Sequence, residues 1–150
     1  MADRIDHLFQ EWSRLGGAVL LAEVDAALPA RSPEQVIAES TAYCRDSGRL
    51  TWVTLDWLVR HMDQIDEGAL LQATDRVGDL SVLGVLCDAA HLRNPHPKFE
   101  RIIRACKAHD RMEPFFRRVA RSRLALALTR ENALDVFQRW NYLCSELRYL

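Results

Sequence analysis

Asp79-Leu80-Ser81-Val82-Leu83-Gly84-Val85-Leu86-Cys87-Asp88-Ala89-Ala90-His91-Leu92 is the most apolar stretch of the chain, and Arg93-Asn94-Pro95-His96-Pro97 closes it. Leu80, Val82, Leu83, Val85, Leu86, Ala89, Ala90 and Leu92 leave little polar face. A helix that is apolar nearly all round must sit among other elements. The stretch therefore predicts a central, mostly buried helix. Pro95 and Pro97 break it, because proline lacks the amide hydrogen and pushes the residue before it out of helical backbone.

Outward from this segment the apolar spacing stays helical. Ile5, Leu8, Phe9, Trp12 and Leu15 form one stripe, which Gly16-Gly17 ends. A short apolar segment runs from Ala18 to Leu28, before Pro29. Ser32-Pro33-Glu34-Gln35 is a start signal, with a capping Ser, a first-turn Pro and Gln three residues on. That helix is expected to reach Gly48. Thr51 is expected to cap the next, with Trp52, Leu55, Leu58, Val59 and Met62 inward. Residues 67–76 read as a short helix. Pro97 opens one with Phe99, Ile102, Ile103 and Cys106 inside. Pro114 opens another, with Phe115, Phe116, Val119 and Ala120 inside. Asn132 and Asp135 start the last helix, over 132–149, carrying Leu134, Phe137, Trp140, Cys144 and Leu147. No window reads as a strand.

The expectation is an all-α, multihelical single domain over 1–150, with eight or nine short helices in antiparallel hairpins. Tyr43-Cys44-Arg45-Asp46 and Leu86-Cys87-Asp88-Ala89 lie 43 residues apart. That spacing suits the ~40–47-residue period of a HEAT-like helical repeat.

Composition sets the class. With 49% apolar and 27% charged residues, the chain can bury a core and is not disordered. No apolar run approaches the ~20 residues of a membrane span. Met1-Ala2-Asp3-Arg4-Ile5-Asp6 does not read as a signal peptide. The expected compartment is a bacterial cytoplasm, where Cys44, Cys87, Cys106 and Cys144 stay free thiols.

Charge is sorted along the chain. Residues 1–92, the acidic half, hold 15 Asp/Glu against 7 Lys/Arg, and residues 93–130 hold 11 Lys/Arg against 3 Asp/Glu. A whole-chain net charge of −1 hides this separation. Lys98, Arg101, Arg104 and Lys107 fall at every third position opposite an apolar stripe. Arg117, Arg118 and Arg121 share one arc of the next expected helix. Paired as a hairpin, these cations form a footprint for an acidic protein or a phosphate backbone. The alternative is two solvated faces, partly neutralised by the acidic half. Arginine bias, 18 of the 20 cations, suits anion binding, and an Arg-rich coding style produces it too. Trp57 falls off the expected inner stripe of its helix, as an interface anchor does; a broad apolar face gives the same pattern.

Two constellations touch on chemistry. Cys87 with His91 and Cys106 with His109, with His96 between, supply zinc-type ligands, but in no common metal spacing. The simpler reading is that the cysteines are small core residues and the histidines surface or cap residues, and neither a metal nor another cofactor is expected. Arg104-Ala105-Cys106-Lys107-Ala108-His109 resembles the Arg-x4-His motif of the HEPN ribonuclease family, which is all-helical and of similar size. That resemblance implies an Arg104/His109 pair acting on RNA. Ala105 departs from the polar residue usual after the Arg. Phosphate-loop, nucleophile-elbow and His-Glu-x-x-His motifs are absent.

The first functional expectation is thus a non-catalytic, regulatory interaction module with a protein partner and no membrane association. Lys98, Arg101, Arg104, Lys107, Arg117, Arg118, Arg121 and Trp57 are its candidate contacts. A nucleic-acid binder using residues 97–130, and a HEPN-like ribonuclease, are the alternatives. The sequence leaves the oligomeric state open.

Overall fold

The computed structural model describes residues 2–19, 30–117 and 134–144. Seven α-helices lie among them: α1 (Ala2–Arg14), α2 (Pro33–Tyr43), α3 (Gly48–His61), α4 (Glu67–Val77), α5 (Leu80–Arg93), α6 (Pro97–Ala105) and α7 (Asp135–Gln138). Two 3-10 turns, Cys44–Asp46 and Met62–Gln64, extend α2 and α3. The all-α expectation holds, with seven described helices in place of eight or nine.

The stretch at 79–92 becomes α5, as its composition requires. Ser81 to Cys87, Ala89 and Ala90 are all buried. Asp79 starts it by accepting the amides of Ser81 and Val82 on Oδ1. α2, α3, α4, α6 and α7 all pack on α5. α2 in turn lies against α1, α3 and α4. Its start is the capping box expected from Ser32 and Gln35, each side chain bonding the other's backbone amide. Among the described residues, no helix is long and apolar enough to cross a membrane.

Several boundaries move. α2 ends at Tyr43, and Gly48 is the first residue of α3 rather than the end of α2. The cap of α3 is Ser47, whose hydroxyl accepts the Leu50 amide. Thr51 is buried and donates to the carbonyls of Cys44 and Ser47. α3 buries Leu50, Thr51, Val53, Thr54, Leu55, Trp57 and Leu58, and Met62 just beyond it is buried too. That is a broad buried face, which takes in Leu55, Leu58 and Met62 of the expected stripe and adds Leu50, Val53 and Trp57 beside them. Trp52 and Val59 are only half-buried.

No repeat is shown. The two echo segments occupy unlike places, one running from the end of α2 into a 3-10 turn and the other in the middle of α5. The expected hairpin of basic helices is also not formed as drawn. Pro114 lies in a two-residue strand, β1 (Glu113–Pro114), parallel to β2 (Tyr142–Leu143). Glu113 and Phe115 donate their amides to the carbonyls of Asn141 and Leu143. Pro114, which has no amide to give, falls between them. The final helix stops at Gln138, and Asn141 turns the chain with φ 63°, a conformation Asn tolerates better than most residues. Most of the 18–28 segment and of the expected 114–129 helix, and both ends of the 132–149 helix, lie outside the described residues.

Where α7 meets α5 the fit is close. A Cβ on Gly84 would come within 2.3 Å of the Trp140 ring. The Trp140 indole donates to Asp88 Oδ2 at 2.9 Å, and Arg139 donates to the same oxygen at 3.1 Å.

Candidate functional site

The basic arm divides in two. On α6, Lys98 Nζ donates to the carbonyls of Asp63 and Ile65 at 2.9 and 2.7 Å. It thus satisfies backbone oxygens at the end of the α3 extension. Arg101 forks onto Glu67 of α4, with Nε to Oε2 and Nη2 to Oε1 both 2.6 Å. That hydrogen bond, and then the opposite charge, hold the Glu67 carboxyl below its ordinary range. Arg117 pairs with Asp46 at 3.3 Å and donates its amide to the Arg45 carbonyl. The acidic half therefore neutralises Arg101 and Arg117 from within the molecule and holds Lys98 through backbone carbonyls.

Arg104, Lys107 and Arg111 differ. They are exposed and make no ion pair with another described residue. α6 stops at Ala105, where the Cys106 amide closes back on Ile103. Lys107 thus stands in coil, beyond the every-third-residue helical face expected for it. The outward stretch ends in Met112, 44% exposed. Arg118 and Arg121 lie outside the described residues. Trp57 is core rather than surface. It is 2% exposed, its indole donates to the Leu15 carbonyl at 3.1 Å, and it packs on Trp12 at 5.7 Å. Its departure from the expected stripe reflects a broad apolar face.

The minority charges of the two halves find each other. Arg45, a cation of the acidic half, is 6% exposed and donates to the Glu113 carboxylate at 2.6 Å and to the carbonyls of Pro114 and Phe115. Its guanidinium also lies 4.9 Å from the centre of the Tyr142 ring. Glu113 Oε1 takes His109 Nε2 as well, at 2.6 Å, and the His109 ring stacks on Tyr142 at 5.0 Å. The Arg45 hydrogen bond, more than His109, lowers the Glu113 carboxyl. Tyr142 hydroxyl bonds Ser81, which donates to Asp79. Burial raises the phenol. This polar chain was not legible from spacing, since its members come from four separated segments.

The network bears on the two chemical constellations. Arg104 faces solvent on α6, whereas His109 lies past the helix end with Nε2 on Glu113. The Arg-x4-His spacing is therefore not presented on one helical face. Cys87 and Cys106 likewise do not gather with their histidines. His91 accepts the His96 amide and His96 caps α6. Among the described residues, no group of three or more His, Cys, Asp or Glu is placed to hold a metal ion. Burial pushes the Cys44 and Cys106 thiols up to about 12 and raises Cys87 strongly. Such thiols are poor nucleophiles at neutral pH.

A concavity of about 420 Å³ opens where the end of α5 meets α7, floored by Ala89, Leu134 and Val136. Leu92 stands at it 66% exposed, the outward end of the stretch expected to form a mostly buried helix.

Comparison with protein-family models, curated proteins and solved structures finds no match to this chain.

Proposed function

We propose that the protein is a non-catalytic helical interaction module that docks an acidic protein partner on its outward stretch Arg104–Met112. The observation that carries this reading is the division of the basic arm. Lys98, Arg101 and Arg117 are engaged by the molecule itself, while Arg104, Lys107 and Arg111 present their charge to solvent. Arginine and methionine are favoured at protein interfaces, and Met112 supplies an apolar contact beside Arg111. The aromatic rings near the arm favour a protein over nucleic acid. Phe99 and Phe115 are wholly buried, and base stacking needs exposed rings.

The test is a pull-down from native lysate, with and without nuclease, using wild type and an R104E/K107E/R111E variant. The expected result is a nuclease-resistant partner that wild type retains, that added salt releases and that the variant loses. The variant's thermal midpoint is expected to be unchanged, because solvated surface charges contribute little to stability. Capture that disappears with nuclease transfers the reading to nucleic acid. Capture unchanged in the variant removes the stretch from the interface.

A further inference from the structure

We infer that the concavity between α5 and α7 is a self-association surface, in which a second copy of this chain seats its own Leu92. A lone exposed leucine signifies nothing by itself. Leu92 differs because of where it stands. α5 buries Ser81 to Cys87, Ala89 and Ala90 and then turns Leu92 to solvent beside a concavity floored by Ala89, Leu134 and Val136. An apolar knob and an apolar hole thus share one patch.

Charge selects the occupant. The patch carries both signs, since Asp135 lines it together with Arg93 and Arg139. A closed two-fold interface places one surface against itself, so residue i meets residue j and j meets i. A patch of one sign would repel its own copy. A mixed patch complements itself, with Arg139 of each copy against Asp135 of the other. Arg139 gives one donor, Nη2, to Asp88, and a guanidinium has five. Its remaining donors are sufficient for a second carboxylate. Seven residues line the concavity, against the ~20–30 a side of a standard interface, so the association is weak and concentration-dependent. No residue that lines this surface belongs to the Arg104–Met112 stretch, and either reading can fail alone.

The test is sedimentation equilibrium of the full chain from micromolar to millimolar concentration. Wild type is expected to rise from monomer toward dimer mass. Leu92→Asp is expected to weaken the dimer more than about tenfold, as for a central interface residue. Asp135→Arg and Arg139→Asp should each weaken it, and the double variant should restore it, since the swapped pair is again complementary. Circular dichroism of each variant separates loss of the dimer from loss of the fold. R104E/K107E/R111E should dimerise as wild type does. A strictly monomeric wild type overturns the inference, even where Leu92→Asp abolishes capture of some other protein. A dimer that survives both Leu92→Asp and the charge swaps also overturns it.

Discussion

Lys98 and Arg101 at one end of the basic arm, and Arg104, Lys107 and Arg111 at the other, are the same chemistry in two roles. The first pair lies over the start of α4 and the turn before it, where backbone carbonyls and Glu67 meet them. One turn further along α6 no described acid is in reach, and the cations face water. Clustered charge in a sequence is therefore no guarantee of a charged surface. Where the opposite charge is supplied by the same chain, the cluster is a seam.

The largest break in this comparison is expected at Arg45, the most buried cation of the seam. Arg45→Ala leaves the carbonyls of Pro114 and Phe115 and the Glu113 carboxylate without their donor. A loss of about 3 kcal/mol is expected in urea unfolding, at the low end for a broken buried pair because Glu113 is partly exposed. A loss below about 1 kcal/mol, the scale of a surface pair, would show that residues 109–117 are held by something else.

Lys98 comes next. Lys98→Met keeps the aliphatic stem and removes the two donors to the Asp63 and Ile65 carbonyls. The half-buried position gives an expected loss of about 1–2 kcal/mol, against no change for Lys107→Met. Equal effects at the two lysines would erase the distinction between seam and surface.

The parts of this fold that were legible in the sequence are those set by local physics. α5 follows from an apolar run between a capping Asp and two prolines, and α2 from a Ser-Pro-x-Gln start. The parts that were not legible depend on distant partners. Pro114 opens no helix at that point because the carbonyls of Asn141 and Leu143 take the amides of Glu113 and Phe115. α7 is short because the following chain is drawn into that same ladder. The division of the basic arm needed α4 in place, since only tertiary structure tells Lys98 from Lys107. A clue was present in the exceptions: Arg45 in the acidic half and Glu113, one of three acids in the basic segment, became partners.

Acid should weaken the seam in a defined direction. The folded Glu113 carboxyl is lowered by Arg45 and then His109. A depressed folded value gives stability that is complete above the unfolded carboxylate range, near ~4.3, and is lost as pH falls through the folded value. The unfolding midpoint of wild type is therefore expected to drop toward that of Glu113→Gln as pH falls below about 4. Parallel curves for the two proteins across that range would mean that Glu113 does not titrate with folding.

The smallest effect is expected at Arg101 and Glu67, despite the best geometry in the arm. Both bonds of the fork are 2.6 Å, yet the guanidinium is in water. Exposed pairs are screened by salt and must order two long side chains. A double-mutant cycle of Arg101→Gln and Glu67→Gln is expected to give a coupling near measurement error at physiological salt, growing as salt is withdrawn. A large, salt-independent coupling would make this pair a buried part of the seam rather than its exposed edge. The weak pair has a consequence for binding. Arg101 can exchange Glu67 for a partner's carboxylate at little loss, whereas Lys98, tied to backbone carbonyls, cannot. Adding Arg101→Glu to R104E/K107E should therefore weaken capture further, and adding Lys98→Met should not, so Arg101 is the edge of the seam, held by Glu67 yet open to a partner.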